Sequence, residues 1–216
     1  MAEDYWKTVG RVPSSLVVDP AFADLIGPGA SVVDLGCGDG RTLAALAECV
    51  GRGGKSWAGV DVNLEALVRA RDRGLPRTGF VCADIAALPF ADERFDYGIM
   101  HAVLTTLVTP ADRRAVLAEA FRVLRRGLYV SDFLLTPEQP LYRDRYDRGL
   151  AETGERGTFR VMEGDRYLYT AHHFSEEELR ELFSGAGFPR VSLRRAKSPT
   201  RSGKVINGAI VLAGKS

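Results

Sequence analysis

The residues best suited to do chemistry lie in a glycine-rich turn near the start of the chain. A β-branched run leads into Asp34-Leu35-Gly36-Cys37-Gly38-Asp39-Gly40, where three glycines alternate with other residues ahead of a helical segment. Glycine is needed where a strand-to-helix turn takes positive φ and where a Cβ would block a ligand lying on the backbone. Dinucleotide-binding turns carry G-x-G-x-x-G and phosphate loops end in G-K-[S/T], whereas this turn is G-x-G-x-G. The spacing predicts a ligand site and argues against NAD and ATP.

Acidic residues end three successive predicted strands beside this turn. They are Asp34, Asp61 and Asp84. Each alone is as typical of a solvated strand end or a helix N-cap as of a binding site. Because the carboxyl ends of parallel strands meet at one edge of a sheet, the three together indicate a single polar site. Asp61 is placed to accept hydrogen bonds from a ribose diol, and Asp84 to accept one from an adenine amino group.

The elements that position these residues alternate between short apolar strands and amphipathic helices. We predict strands over residues 31–35, 56–60, 79–82, 95–101 and 128–133. Apolar residues recur at i, i+3, i+4 and i+7 after Gly40, and a second such stripe ends at Leu124. Strands separated by helix-length segments need crossover connections, which build a parallel sheet with helices on both faces. We therefore predict one domain, residues 1–216, with a doubly wound, Rossmann-like α/β fold and a seven-stranded, mostly parallel sheet.

The end of the chain predicts an antiparallel last strand. Ser175 begins a helix in which Ser175 and Glu178 can form a capping box, and Gly187 can stop that helix. Predicted strands over 190–195 and 205–213 follow, joined by a short link that suits a hairpin better than a crossover.

A segment that breaks the alternation follows the fifth strand. Residues 137–173, here called the cap, are rich in aromatic and charged side chains and contain a predicted β-hairpin over 157–161 and 166–171. Connections that leave the carboxyl ends of strands lie where α/β sheets bind ligands, so we predict that the cap covers a substrate. Tyr5 and Trp6 are predicted either to fold over the same site as a lid or simply to pack as a terminal helix.

Composition limits the classes of function. The chain has 216 residues, 45% hydrophobic and 26% charged, with a formal net charge of +1. That balance favours a globular protein and offers no overall positive charge for nucleic acid or a membrane surface. Its 3 cysteines have neither C-x-x-C nor paired spacing, which indicates a reduced compartment. We expect a cytoplasmic protein without a leader or a membrane span, either a monomer or a homodimer, that acts on a small molecule.

With these features in place, the chain resembles the class I S-adenosylmethionine-dependent methyltransferases, in particular the UbiE-like, type 11 group. The resemblance covers about residues 28–135. The stretches that carry it are Val33–Gly40, Gly59-Val60-Asp61, Asp84–Phe90 leading to Phe95-Asp96, and Arg122–Arg125. One departure is that Arg126-Gly127 stands where the family usually has a Pro-Gly-Gly turn.

The resemblance implies S-adenosylmethionine as cofactor and S-adenosylhomocysteine as product. Asp34 would approach the methionine amino group, Asp61 the ribose hydroxyls, and Asp84 the adenine. His101 would flank the methionine carboxylate and the mouth of the substrate site. The full implied set for cofactor binding is Asp34, Gly36, Cys37, Gly38, Asp61, Val62, Asp84, Ile85 and His101.

Methyl transfer from a sulfonium is an in-line displacement that depends mainly on proximity and orientation. A general base is needed only where the acceptor holds a proton of high pKa, and the candidate catalytic residues are His101 and His173. His172 and His173 are adjacent, so in an extended segment at most one of them faces the pocket. No metal site is predicted, because the pair lacks carboxylates in ligand spacing. The candidate acceptor-binding residues are Tyr5, Trp6, Tyr142, Tyr146, Tyr169 and His172.

The acceptor class remains open among three alternatives. The stretch Met100–Leu104 lacks the Asn/Asp-Pro-Pro-Tyr/Phe motif of methyltransferases acting on bases and glutamine, which favours an O, N or C atom of a small molecule. An RNA or protein methyltransferase would need a basic surface around Arg194, Arg195, Lys197, Arg201 and Lys204, a stretch that is more typical of a charged hairpin edge. A non-catalytic module that only binds S-adenosylmethionine would be expected to have lost some of the acids and glycines.

Overall fold

A seven-stranded sheet brings the predicted site residues together. The computed structural model describes residues 2–8, 18–27, 29–50, 56–199 and 204–215. Its strands are β1 Val32–Leu35, β2 Trp57–Asp61, β3 Thr78–Cys82, β4 Phe95–His101, β5 Leu124–Phe133, β6 Thr158–Glu163, β7 Arg166–His172, β8 Arg190–Pro199 and β9 Val205–Gly214. The main sheet has the order β3-β2-β1-β4-β5-β9-β8, and β6 pairs only with β7. Strands β1 to β5 are parallel and β9 is antiparallel to both of its neighbours, which confirms the predicted fold.

Helices cover both faces of this sheet. They are α1 Ala2–Thr8, α2 Pro20–Leu25, α3 Arg41–Val50, α4 Leu64–Arg71, α5 Pro110–Val123, α6 Pro140–Thr153 and α7 Glu176–Gly185, with a 3-10 turn at Leu104–Thr106. Successive strand residues point to opposite faces, so Val130 packs in one apolar cluster with Phe183 while Tyr129 packs in the other with Phe22. The sheet is thus buried on both faces, and its carboxyl edge is where the predicted site residues meet. Among the described helices, none has the length and apolar character needed to span a membrane.

The connection from α5 to β5 differs from the prediction. Leu124 was expected to extend the helical stripe, but it takes φ −100° and ψ 146° and begins the strand. The expected turn at Arg126-Gly127 is therefore absent, because both residues already lie within β5. Gly127 is required there for a packing reason, since a Cβ would lie 2.8 Å from the carbonyl oxygen of Ala213 on β9.

The predicted ends of α7 are confirmed except for half of the capping box. The Ser175 hydroxyl accepts a hydrogen bond from the Glu178 N–H at 3.1 Å. The Glu178 side chain does not return to Ser175, because it contacts His172 instead. Gly187 takes φ +101° after the helix, and the Phe188 N–H reaches back to the Phe183 carbonyl at 3.2 Å.

The cap contains the predicted hairpin and one helix that was not predicted. Its strands β6 and β7 pair antiparallel with Thr158 opposite His172. The missed helix is α6, although Pro140 in its first turn and Gly154 at φ +72° after its end are typical helix boundaries. Its buried face consists of Tyr142, Tyr146 and Gly149, which are spaced as on one side of a helix. From the sequence we assigned the two tyrosines to the lining of a pocket and did not recognise the helix.

Candidate functional site

The glycine turn lies between β1 and α3 and uses its glycines in two ways. Gly36 and Gly38 both take positive φ, at 78° and 52°. A Cβ on Gly36 would lie 2.7 Å from a methyl carbon of Val103, so that glycine is needed for packing. A Cβ on Gly38 would meet nothing within 4 Å, so its face of the turn is open to a ligand. The Cys37 thiol is buried, which raises its pKa and keeps it protonated.

Asp61 at the end of β2 ties this turn to the neighbouring strand. One carboxylate oxygen accepts the Gly38 N–H at 2.7 Å and the other accepts the Asn63 N–H at 2.9 Å. Burial raises the pKa of Asp61, and the backbone hydrogen bonds act against that rise. Each oxygen keeps a second lone pair, so the carboxylate can still accept hydrogen bonds from a diol.

Asp34 is the most deeply buried acid of the site. Only 1% of it is exposed, and its Oδ2 has no hydrogen-bond partner within the described residues. Burial, and next the nearby charge of Asp61, raise the pKa of Asp34 to about 8. An unpaired buried carboxyl beside a second carboxylate is a site where a cationic group would be stabilised.

His101 ends β4 directly opposite the turn. Its Nδ1 lies 3.4 Å from the Thr42 hydroxyl at the start of α3. Its Nε2 is buried with no hydrogen-bond partner among the described residues, and burial lowers the pKa of the ring to about 4. The imidazole is therefore neutral near pH 7. Ala102, which follows it, takes φ +52°, so the backbone leaves the strand in a strained conformation at this point.

The residues predicted to hold adenine lie at the end of β3. Asp84 is exposed, and its Oδ1 accepts the Ala86 N–H at 2.8 Å, which is the local turn that the sequence left as the alternative. Ile85 is buried in the apolar core. Val62 is half-buried, and its carbonyl lies 3.7 Å from the Cys82 thiol. The adenine contacts stay a prediction.

Three aromatic rings join α1 to the cap. Tyr5 and Trp6 both lie against Tyr169 of β7, with ring centroids 4.9 Å and 4.8 Å away. The Asn63 side chain donates a hydrogen bond to the Trp6 carbonyl at 3.2 Å. Because Asn63 also binds Asp61, helix α1 bridges the end of β2 and the cap. Residues 9–17, Pro13-Ser14-Ser15 among them, lie outside the described part of the chain.

Tyr146 and His173 form a buried pair in the cap. The Tyr146 hydroxyl accepts the Thr136 N–H at 3.2 Å and forms a hydrogen bond of 2.8 Å with Nδ1 of His173. Burial first, and then the charges around it, lower the pKa of His173 to about 3. His173 is thus a neutral ring packed on Tyr142 and Phe159, with Nδ1 engaged by Tyr146. A role as base would require its other nitrogen.

His172 faces away from these rings, as expected for adjacent strand residues. Its Nδ1 lies 2.7 Å from the Thr158 hydroxyl and its Nε2 lies 2.9 Å from a Glu178 oxygen. Both ring nitrogens are engaged, so the structure moves His172 out of the predicted acceptor set and into a polar cluster. The sequence carries no signal for this cluster, because its central residue, Arg113, is one arginine among several in α5.

Arg113 is the centre of that polar cluster. Its guanidinium is 1% exposed and makes paired contacts of 2.7 Å and 3.1 Å with Glu155, and a further one of 3.5 Å with Glu178. It also donates to the carbonyls of Leu107 and Val108. The carboxylates that we found lacking near His172 are thus supplied by distant segments, with ligand atoms of Glu155, His172 and Glu178 within 4.8 Å of one another. In this structure the positive charge next to these carboxylates is the Arg113 guanidinium.

The basic stretch of β8 lies at the edge of the sheet, and its two arginines are paired with acids. Arg194 contacts Asp19, and Arg195 contacts Glu176. Lys197 donates to the Asn207 side chain at 2.8 Å. Arg201 lies outside the described residues. Of the two alternatives, a basic binding surface and a charged edge strand, the described part of the stretch matches the charged edge strand.

Comparisons with known proteins agree on one family. A family model described as a methyltransferase domain matches residues 32–127. The chain is 31% identical over 176 residues to the ubiquinone/menaquinone biosynthesis C-methyltransferase UbiE of Shewanella frigidimarina, covering 76% of this chain and 68% of that protein. It is 38% identical over 129 residues to an arsenite methyltransferase of Aquipseudomonas alcaligenes, but that match spans only 35% of the relative. A solved SAM-dependent methyltransferase of Methanosarcina mazei superposes with a TM-score of 0.84 and 31% identity, over 93% of this chain and 99% of that one.

Proposed function

We propose that this chain, which belongs to the S-adenosylmethionine-dependent methyltransferases, methylates a small organic molecule held between the carboxyl edge of the sheet and the cap. The observation that carries the proposal is the ring contact of Tyr5 and Trp6 with Tyr169, tied through Asn63 to Asp61. Tyr169 is buried, and Tyr5 and Trp6 are half-buried against it, so their accessible parts would offer an apolar surface with polar tips next to the cofactor edge, which suits an organic acceptor.

The residues at the cofactor edge fit S-adenosylmethionine. The unpartnered Oδ2 of Asp34 would hold the methionine ammonium, and the open face at Gly38 would admit the ligand against the backbone. Asp61 would accept the ribose hydroxyls with its remaining lone pairs. When bound, the cofactor supplies a methyl group on a sulfonium that is already activated for displacement.

The chain's own contribution is orientation, exclusion of water and control of one proton. Aromatic faces of the cap and α1 would position the acceptor atom in line with the methyl group. His101 is the better of the two candidate bases, because its Nε2 has no partner among the described residues whereas Nδ1 of His173 is hydrogen-bonded to the Tyr146 hydroxyl. A neutral imidazole can take the acceptor's proton as the new bond forms.

Two observations favour an organic small molecule over the other acceptors. Arsenic(III) prefers soft thiolate ligands, and the cap has no cysteine, because the chain's cysteines are Cys37, Cys49 and Cys82. Two of the cations that an RNA substrate would need, Arg194 and Arg195, are paired with Asp19 and Glu176.

The experiment that tests the proposal compares the three classes of acceptor in parallel incubations. Purified enzyme is incubated with methyl-labelled S-adenosylmethionine and, separately, with a metabolite extract, total RNA or total protein. We expect label in a metabolite, and Asp34→Asn to abolish it. Label only in the RNA or protein fraction would contradict the proposal.

A further inference from the structure

We propose that Arg145 of the cap binds a carboxylate on the acceptor, so that the substrate is a small organic acid; this inference rests on the proposed function. Arg145 is half-buried on α6, and its guanidinium carbon lies 5.4 Å from the ring centre of Tyr142 and 5.5 Å from that of Phe159. Within the described residues it makes neither a hydrogen bond nor an ion pair.

Burial distinguishes Arg145 from the other arginines of the cap, all of which the structure describes and all of which are exposed. Arg160 pairs with Glu152 at 3.1 Å, and Arg148 donates to the Asp144 carbonyl at 3.3 Å. A guanidinium that is partly removed from water without a counter-charge is costly, and contact with two ring faces compensates only in part. The acids beside it in sequence, Asp144 and Asp147, are exposed and lie at helix spacings that do not face it.

The chemistry of the free guanidinium selects a carboxylate. The Tyr142 and Phe159 rings stand at 83° to each other, so the guanidinium can lie flat on at most one of them, and within the described residues none of its five N–H donors has an acceptor. Two parallel N–H donors match the two oxygens of a carboxylate. The surrounding aromatic rings suit a planar carbon skeleton attached to that group.

The position of Arg145 places this anion site on the acceptor side. Its positive charge acts on Tyr169 and on His173. Tyr169 is the residue that contacts Tyr5 and Trp6 at the cofactor edge. Helix α6 is held firmly against β6, because Gly149 lies so close to the Thr158 carbonyl that no Cβ would fit. A rigid element thus presents the guanidinium beside the proposed pocket.

The test compares a carboxylate with its neutral counterpart of the same shape. The full chain, saturated with S-adenosylhomocysteine, is titrated with 4-hydroxybenzoate and with 4-hydroxybenzamide while tryptophan fluorescence is followed. We expect the acid to bind at least about tenfold more tightly than the amide, and Arg145→Met to remove that preference. Arg148→Met on the same helix is the matched control and should keep the preference. Arg145→Lys keeps the charge but loses the paired donors, so an intermediate preference is expected if Arg145→Met does not fold.

The outcomes separate this inference from the proposed function. Equal binding of acid and amide by the unaltered protein, or an unchanged preference in Arg145→Met, would overturn the role of Arg145. A labelled neutral metabolite in the acceptor screen would also overturn that role while leaving the proposed function intact. Label confined to RNA or protein would instead remove the proposed function.

Discussion

The two sides of the site are built by different physical means. On the cofactor side, the site is formed by backbone groups and carboxylates at the ends of parallel strands; for example, the Asp61 carboxylate accepts the Gly38 N–H at 2.7 Å. On the cap side, aromatic rings and one buried guanidinium join segments that are far apart in the chain. The first arrangement follows from the register of the sheet, whereas the second depends on a few long-range contacts. Substitutions should therefore separate cofactor binding from attachment of the cap.

The largest effect is expected from breaking the attachment of the cap at Arg113. Replacing it by Met leaves the carboxylates of Glu155 and Glu178 without their cation. Removing one partner of a buried ion pair costs about 3–5 kcal/mol, so Arg113→Met should lower the free energy of unfolding by that order. Urea denaturation measures it, with Arg71→Met as control because its pair with Asp72 is exposed.

Binding of S-adenosylhomocysteine tests whether the cofactor side is independent of the cap. At temperatures where Arg113→Met is folded, its dissociation constant for the product should lie within about threefold of that of the unaltered protein, because the cofactor side is formed by the sheet. A folded variant that has lost cofactor affinity would show that the two sides are not separable.

The opposite variant, Asp34→Asn, should remove cofactor binding and spare stability. The folded-state pKa of about 8 lies above the ordinary value of 3.8, so the folded chain retains a proton that the unfolded chain releases. Stability from this group is complete below pH 3.8 and is lost as pH rises toward 8. Asp34→Asn should therefore unfold at a higher temperature than the unaltered protein at pH near 8, and lose about 100-fold or more in cofactor affinity.

Calorimetry with S-adenosylmethionine between pH 6.5 and 8 tests the electrostatic reason. His101, with its lowered pKa of about 4, does not titrate in that range. A cationic ligand favours ionised Asp34, so affinity should rise with pH in the unaltered protein and stay level in Asp34→Asn. A pH-independent affinity in the unaltered protein would contradict the assignment of Asp34.

The cofactor side could be predicted from the sequence because its determinants are local. Asp34, Gly36 and Gly38 lie within one turn, and parallel pairing of β1 with β2 brings Asp61 to them without further information. Asp84 is the exception, since a strand-end acid that folds onto its own turn has the same sequence signal as one that binds a ligand.

The cap could not be predicted to the same depth. Arg113 contacts Glu155 and Glu178, which are 42 and 65 residues away, and no local spacing encodes such a meeting. Because the sequence does not reveal that cluster, only a capping or surface role competed with the assignment of His172 to the acceptor. Leu124 was misplaced for another reason, because a buried apolar residue satisfies a helical stripe and a strand equally well.

The smallest effects come from a pair of substitutions within the glycine turn, and they separate packing from ligand contact. Gly36→Ala and Gly38→Ala both force a side chain into positive φ, which costs about 1–2 kcal/mol. Gly36→Ala adds a clash with Val103 and should lose more stability. The methyl group of Gly38→Ala meets no described protein atom within 4 Å, so its free energy of unfolding should match that of the control Gly74→Ala, which has φ +64° and equally open space.

Binding distinguishes Gly38→Ala from that control. Gly38→Ala should bind S-adenosylhomocysteine at least about tenfold more weakly than Gly74→Ala, because its methyl group enters the space assigned to the ligand. Equal affinities in Gly38→Ala and Gly74→Ala would place the cofactor on another face of the turn.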